Sequence, residues 1–212
     1  NMRELALRIR KAAQDLGVKR IIFGECGHAW RAAYSFLNTL AGPFDFLDQR
    51  YPIPQHICEY TYDLIEKGEL TFDKSKNDHI RLTFHDSCNV ARGSRMGDKP
   101  GGQFEIPRAI LRAVCNHYFD MPEDTIKEAT LCCGGGGGLV SVDEIYDFRM
   151  NIGGKLKADQ IRETGAEIVV SPCANCKKQL KELVEFYKLP CKVMGLHDLI
   201  LKAIEIPGAK SA

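Results

Sequence analysis

Two adjacent cysteines, Cys132 and Cys133, run directly into five glycines, Gly134 to Gly138, and a Cys-x-x-Cys follows at Cys173-Ala-Asn-Cys176. This constellation limits the chain more than any other feature. Neighbouring cysteines are hard to bridge to each other without strain, so a vicinal pair points to metal or redox chemistry. A glycine run removes the side chains beside it, so that backbone amides can approach closely. The later Cys-x-x-Cys adds two sulfurs on one turn. Soft sulfur ligands from separate loops are what iron–sulfur clusters and zinc both require.

The chain has 212 residues and a net charge of +1, so its charge favours neither nucleic acid nor a strongly anionic partner. Its nine cysteines are an odd number, which speaks against a secreted disulfide framework and for a reducing compartment. No apolar run is long enough for a membrane span, and the first residues form a charged amphipathic pattern rather than a signal peptide.

Hydrophobic periodicity predicts helices over 3–16, 29–40, 56–67, 104–118, 174–188 and 197–204, and a long helical pattern over 142–163 weakened at Gly153-Gly154. Pro107 would sit in the first turn of its helix. Short apolar runs at 20–24, 80–84 and 167–171, and a last one around Val193, read as strands, and 41–55 reads as loop. Strands alternating with helices predict an α/β fold with a largely parallel sheet.

A faint repeat runs through this pattern. Sliding the chain so that Cys26 falls on Cys173 sets Ile21-Ile22-Phe23 on Ile168-Val169-Val170 and Ala29 on Cys176, and each copy later opens a short helix with a histidine, His56 or His197. The expectation is two related Rossmann-like halves with short parallel sheets flanked by helices. Residues 1–72 would be the C-terminal part of a degenerate first repeat, and 79–212 a complete second one. The counterparts of Cys88 and Cys132-Cys133 would precede residue 1, which makes the chain read as part of a longer protein.

Cys88, Cys132, Cys133, Cys173 and Cys176 all fall at predicted strand-to-helix turns, which gather at the carboxyl edge of a parallel sheet, where ligands bind. Five sulfurs exceed the four of a closed zinc site and suit an iron–sulfur cluster better; zinc and dithiol chemistry are the alternatives. The helix after Cys173 aims its N-terminus at the site and favours thiolates, and Gly134 and Gly135 offer N–H donors to cluster sulfurs. The candidate catalytic residues are Cys26 and His28, at the turn equivalent to Cys173, and His85, just before Cys88. Asp86 is expected to cap a turn. Cys58, Cys115 and Cys191 lie in apolar patterns and are expected to be packed side chains. Arg92, Arg95 and Lys99 are expected on a solvated loop.

A lone cysteine, then Cys-Cys-Gly, then Cys-x-x-Cys resembles the CCG-domain family, which includes the catalytic subunits of heterodisulfide reductases. Here the motif is Cys88, Cys132-Cys133-Gly134 and Cys173-Ala-Asn-Cys176, with a long spacing after Cys88 that holds the insert GSRMGDKPGGQF. The stretches GECGHAWRAAYSF, FHDSCNVARGSRMGDKPGGQF and LCCGGGGGLVS look closest to heterodisulfide reductase-like subunits of the membrane complex associated with dissimilatory sulfite reduction. The resemblance implies that the five cysteines ligate a non-cubane 4Fe-4S cluster that cleaves an S–S bond. The substrate would be a thiol-cofactor disulfide or the oxidised form of a small sulfur-carrier protein with C-terminal cysteines. It further implies membrane-anchored sister subunits, a cytoplasmic place at the inner membrane, and cubane 4Fe-4S clusters in an N-terminal region whose cysteine runs this chain lacks. The reading from a different class is a zinc-stabilised interaction module.

Overall fold

The computed structural model describes residues 1–97 and 100–205. It is an α/β fold built on two short parallel sheets flanked by helices. Helix α1 (Met2–Asp15) leads to strand β1 (Ile22–Phe23), helix α2 (Gly27–Ala41), strand β2 (Gln55–His56) and helix α3 (Ile57–Glu66). β1 and β2 pair in parallel, with Ile22 opposite Gln55 and Phe23 opposite His56. The larger sheet holds β3 (Leu82–Phe84), β4 (Tyr118–Phe119), β5 (Ile168–Ser171) and β6 (Lys192–Gly195), all parallel, in the order β4-β3-β5-β6. Helices α4 (Gly102–Val114), α6 (Lys155–Thr164), α7 (Ala174–Phe186) and α8 (Leu196–Ala203) complete the fold, together with a short α5 (Tyr146–Phe148).

Both central strands are buried along their whole length, as a parallel sheet covered on both faces requires. From β3 the chain passes to β4 on one side and then returns to place β5 and β6 on the other. The crevice outside the carboxyl ends of β3 and β5 is therefore a topological switch point, the usual ligand position in open α/β sheets. The loops beginning at His85 and Pro172 both open into it. They are tied together by the His85 N–H, which donates to the Val170 carbonyl at 2.8 Å, and by the Ser87 and Ser171 hydroxyls, 3.1 Å apart.

The two sheets share one core. Trp30 of α2 and Cys58 of α3 pack in the same apolar cluster as Leu82, Phe84, Ile110, Val170 and Leu199. Trp30 is fully buried, and its indole N–H donates to the Pro54 carbonyl at 3.1 Å. Its ring meets His56 edge-on at 5.3 Å.

Three sequence expectations need correction. The stretch read as a loop over 41–55 ends in strand β2: its Gln55 N–H donates to the Ile21 carbonyl, and its side-chain oxygen accepts from Arg20. The helix expected over 104–118 spans Gly102–Val114 instead, so that Pro107 lies inside it, beyond the first turn, and Tyr118 belongs to β4. The pattern over 142–163 is broken into a 3₁₀ turn at Asp143–Ile145, α5, a π-helical turn at Arg149–Gly153, and α6. In α1 the buried residues are Ala6 and Ala13, whereas Leu5 and Leu16 are exposed, because this helix packs chiefly on α2.

Among the described residues no helix is long and apolar enough to cross a membrane. Lys99, expected on the loop after Cys88, falls outside the described residues.

Candidate metal centre

The five motif cysteines, drawn from three loops, converge at the switch point as one unbroken row of sulfurs. Cys88 touches Cys132, Cys132 touches Cys133, and Cys173 touches Cys176. Between them, the Sγ atoms of Cys133 and Cys176 lie 3.3 Å apart. Burial deepens along the row: Cys132 is exposed, Cys88 half-buried, and Cys133, Cys173 and Cys176 buried.

Protons are shared along the row. Cys132 accepts from Cys133 and Cys88 and from the Gly134 N–H at 3.3 Å, which holds its thiol far below the usual range despite burial. Cys173 falls to about 5 because it accepts first from the Cys176 thiol, against the effect of burial, and then from the N–H groups of Cys176 and Gly27 and from His28. The thiols between and beside them rise in compensation. Cys133 is pushed up to about 12, first by its bond to Cys132, and Cys88 rises through its bond to Cys132 and through burial. Cys176 rises well above its ordinary value through its contacts with the Cys133 and Cys173 sulfurs and through burial. The pattern belongs to the row as a whole. Five sulfurs in contact cannot all ionise without a cation among them, and this donor set fits a thiophilic metal or an iron–sulfur cluster.

His85 adds to that fit. Its side chain is buried, and neither ring nitrogen has a hydrogen-bond partner. A ring nitrogen lies within 4.8 Å of the sulfurs of both Cys133 and Cys176. Burial, followed by the nearby Lys157 charge, pulls its pKa well down, so that the imidazole is neutral. An orphaned buried imidazole is uncommon, and this one faces the sulfurs.

Local structure explains the placements. Cys173 is the N-cap of α7, whose first turn carries Cys176, and the helix end favours negative sulfur. Gly134 has φ +89°, and a Cβ there would sit 2.7 Å from the Gly153 carbonyl carbon and 2.8 Å from the Gly154 nitrogen. A Cβ on Gly135 would strike Val140 and Gln179. The first two glycines thus let the loop pack beside α7, while Gly136, Gly137 and Gly138 have open space where a Cβ would be.

Of the first-half candidates, His28 reaches the site. The Gly137 N–H donates to its Nε2 at 2.6 Å, and the side chains of Asn89 and Asn175 lie 3.0 Å from Nε2 and Nδ1. With Nε2 accepting, Nδ1 carries the ring proton. His28 therefore joins the glycine run, the Cys88 loop and the Cys-x-x-Cys. Cys26, the half-buried N-cap of α2, makes no thiol hydrogen bond among the described residues. Asp86 is structural: Arg108 donates to both its oxygens, at 2.8 and 2.7 Å, and the Lys127 N–H donates at 2.9 Å. Cys58 and Cys115 are buried as expected, whereas Cys191 is half-buried at the opposite end of the sheet.

Sequence reasoning passed over Glu25. Its carbonyl accepts from the Ala174 N–H at 2.7 Å, and its carboxylate accepts from Lys177, from the His197 N–H and from His197 Nδ1. Burial would raise the Glu25 pKa, but these bonds outweigh it and hold it at about 2. Glu25 thereby ties the turn between β1 and α2 to the start of α7 and to His197. Asn89 and Asn175 were also missed. Their only signal is adjacency to motif cysteines, and that of Lys157 is a charged residue on the buried face of α6.

The chain is similar in sequence to known proteins. The family described as a cysteine-rich domain, CCG, matches residues 82–181. The chain is similar to the "Hdr-like menaquinol oxidoreductase iron-sulfur subunit 2" of Archaeoglobus fulgidus, at 37% identity over 93% of this chain and 39% of that one. It is also similar to a subunit of the "Dihydromethanophenazine:CoB--CoM heterodisulfide reductase" of Methanosarcina barkeri, at 30% identity over 95% of this chain and 45% of the relative. A "Probable membrane-anchored ferredoxin" of Chromohalobacter salexigens is 33% identical over 65% of this chain and 18% of its own length. The chain thus spans less than half the length of these relatives.

Proposed function

Because residues 82–181 form a cysteine-rich domain of the CCG family, we propose that the five-sulfur row holds a 4Fe-4S cluster of the non-cubane kind, within an electron-transfer oxidoreductase of the heterodisulfide reductase type. The observation that carries this reading is the continuity of the row. Cys88, Cys132, Cys133, Cys173 and Cys176 form one sulfur surface, one more than a closed tetrahedral zinc site uses. The relatives named as iron–sulfur and heterodisulfide reductase subunits support it.

A bound cluster supplies one-electron transfer and iron atoms to which the sulfurs of a disulfide can bind. The residues of the chain do the rest. Cys173 and Cys176, on the first turn of α7, and Cys133 form the buried wall. Cys132 and the open glycines Gly136–Gly138 form the side reached from solvent. His28 holds the glycine run against the Cys88 loop beside that opening, and in this reading it would meet a substrate there. His85 lies behind the sulfurs, where it can ligate or donate to the cluster but cannot reach solvent.

The substrate class is a disulfide or trisulfide, of a small sulfur-carrier protein or of a thiol cofactor. The chain works with membrane-anchored sister subunits, as in the complex associated with dissimilatory sulfite reduction, on the cytoplasmic side of the inner membrane. Further cubane clusters in another region of the protein carry electrons in. Residues 1–72 are the remnant of a first repeat: β1-α2-β2-α3 runs in the same order as β5-α7-β6-α8, each around a parallel strand pair.

The test is anaerobic reconstitution of the chain with iron and sulfide, followed by metal and acid-labile sulfide counting and EPR. About four irons per chain with matching sulfide is the expected result. Stoichiometric zinc without visible absorption overturns it in favour of a zinc-stabilised interaction module.

A further inference from the structure

Among the described residues three cationic side chains are fully buried: Arg108, Arg149 and Lys157. Arg108 is held by Asp86 and Asp120, and Arg149 by Glu182 at 2.6 Å. Lys157 has no carboxylate partner among the described residues. Its Nζ donates to the Gln160 amide oxygen and faces the Met121 sulfur at 3.7 Å, both neutral groups. Gln160 is fixed in turn by donating to the Thr125 carbonyl at 3.2 Å. A buried ammonium without an opposite charge is strongly disfavoured, so its negative partner has to be sought elsewhere.

The geometry leaves one source. Lys157 lies on the buried face of α6 beside Ala158 and Ile161, and these two pack in the same cluster as Cys133, Cys173 and Cys176. Asp86, a carboxylate whose charge acts on Lys157, is already matched by Arg108. His85, beside the Cys133 and Cys176 sulfurs, is buried and its pKa is pulled well down, so it adds no negative charge. Burial pushes the Lys157 pKa down to about 8, and the neighbouring cysteine sulfurs and Asp86 work against that fall.

We propose that Lys157 is the buried counter-charge of the sulfur site: a positioning residue that touches no substrate, strengthens metal retention by the five cysteines and raises the reduction potential of what they hold. The idea rests on the sulfur row holding a metal centre. Each thiolate adds a negative charge to any centre bound there, and at low local dielectric one fixed cation on the protein side offsets a large part of it. The electron added on reduction is stabilised by the same cation.

Three proteins test this: wild type, Lys157→Met and Lys157→Arg, all prepared without oxygen. Methionine keeps the bulk and suits the apolar surroundings, so a merely packed Lys157 predicts an unchanged or more stable protein with an unchanged centre. The counter-charge predicts that K157M binds Cd²⁺, a soft probe of the thiolates, about tenfold more weakly and that its reconstituted cluster has a more negative midpoint potential in an EPR redox titration. K157R should restore most of both. If K157M does not fold, Lys157→Gln takes its place. Wild-type Cd²⁺ affinity and potential in K157M overturn the proposal, as does a K157R that behaves like K157M. If the wild type takes up zinc rather than iron while Cd²⁺ binding still depends on Lys157, the iron–sulfur reading fails and the counter-charge stands.

Discussion

The sulfurs of Cys133 and Cys176 meet at 3.3 Å although 43 positions separate the residues. One comes from the glycine-rich loop and the other from the first turn of α7, so their contact reports how well the two loops are assembled. Cys133→Ser or Cys176→Ser removes one sulfur from the buried wall of the row. Each is expected to abolish cluster retention, read as iron and sulfide content after anaerobic reconstitution. Wild-type iron content in either variant would sink the assignment of the row as the metal site.

The glycine run divides into a packed part and a free part. Gly134→Ala forces a Cβ into the Gly153–Gly154 backbone at a left-handed φ and should destabilise the chain by roughly 2 kcal/mol or more. Gly136→Ala has open space and an ordinary φ, and should change stability by less than about 0.5 kcal/mol. Urea unfolding of the two variants checks the contrast; equal effects would show that the run is not anchored at its first residue.

Asp86 and Arg108 are each 1% exposed and paired through both carboxylate oxygens. Asp86→Asn removes one of the two carboxylates on the buried Arg108 and leaves Asp120 at 2.8 Å as its remaining partner, so it should cost about 2–3 kcal/mol, below the full penalty of an abandoned buried charge. The double change Asp86→Leu with Arg108→Met should recover much of that loss. A double variant no more stable than D86N in chemical denaturation would show that the pair is needed for more than mutual compensation.

The Glu25 carboxylate adds a pH dependence with a definite sign. Its folded pKa of about 2 lies below the ordinary 4.5, so its contribution is fully present above about pH 5 and is lost as the pH falls through 4.5 toward 2. The shift corresponds to about 3 kcal/mol at neutral pH. Glu25→Gln should be less stable than wild type at pH 7 by that order, with the gap closing toward pH 2. Unfolding curves across this range test it, and a gap independent of pH would reject the assignment.

Much of the site was readable in advance. The five cysteines lie where strand ends and turn residues place them, since a parallel sheet gathers those turns at one edge. What escaped depended on partners distant in sequence. Strands β2 and β4 have two residues each, too few to show a period, and Gln55 is buried only because Arg20 satisfies its amide. The break near Gly153-Gly154 showed as a weakness, but its cause, the close approach of Gly134, is tertiary. Glu25 looked like one more turn residue beside Cys26, and nothing local to it signals Lys177 or His197. Lys157 was hidden because a lysine on a helix is ordinarily a solvent-facing residue.

Glu25, Gly27 and His28 all precede residue 82, where the family match begins. They contribute the carbonyl that receives the Ala174 N–H, the N–H that reaches Cys173 and the ring that joins three loops. A polypeptide trimmed to the family boundary would keep every cysteine of the motif and lose one wall of the chamber around them. The shell around the sulfurs is therefore larger than the stretch that the family match covers, and an expression boundary chosen from the motif alone cuts through the site it is meant to preserve.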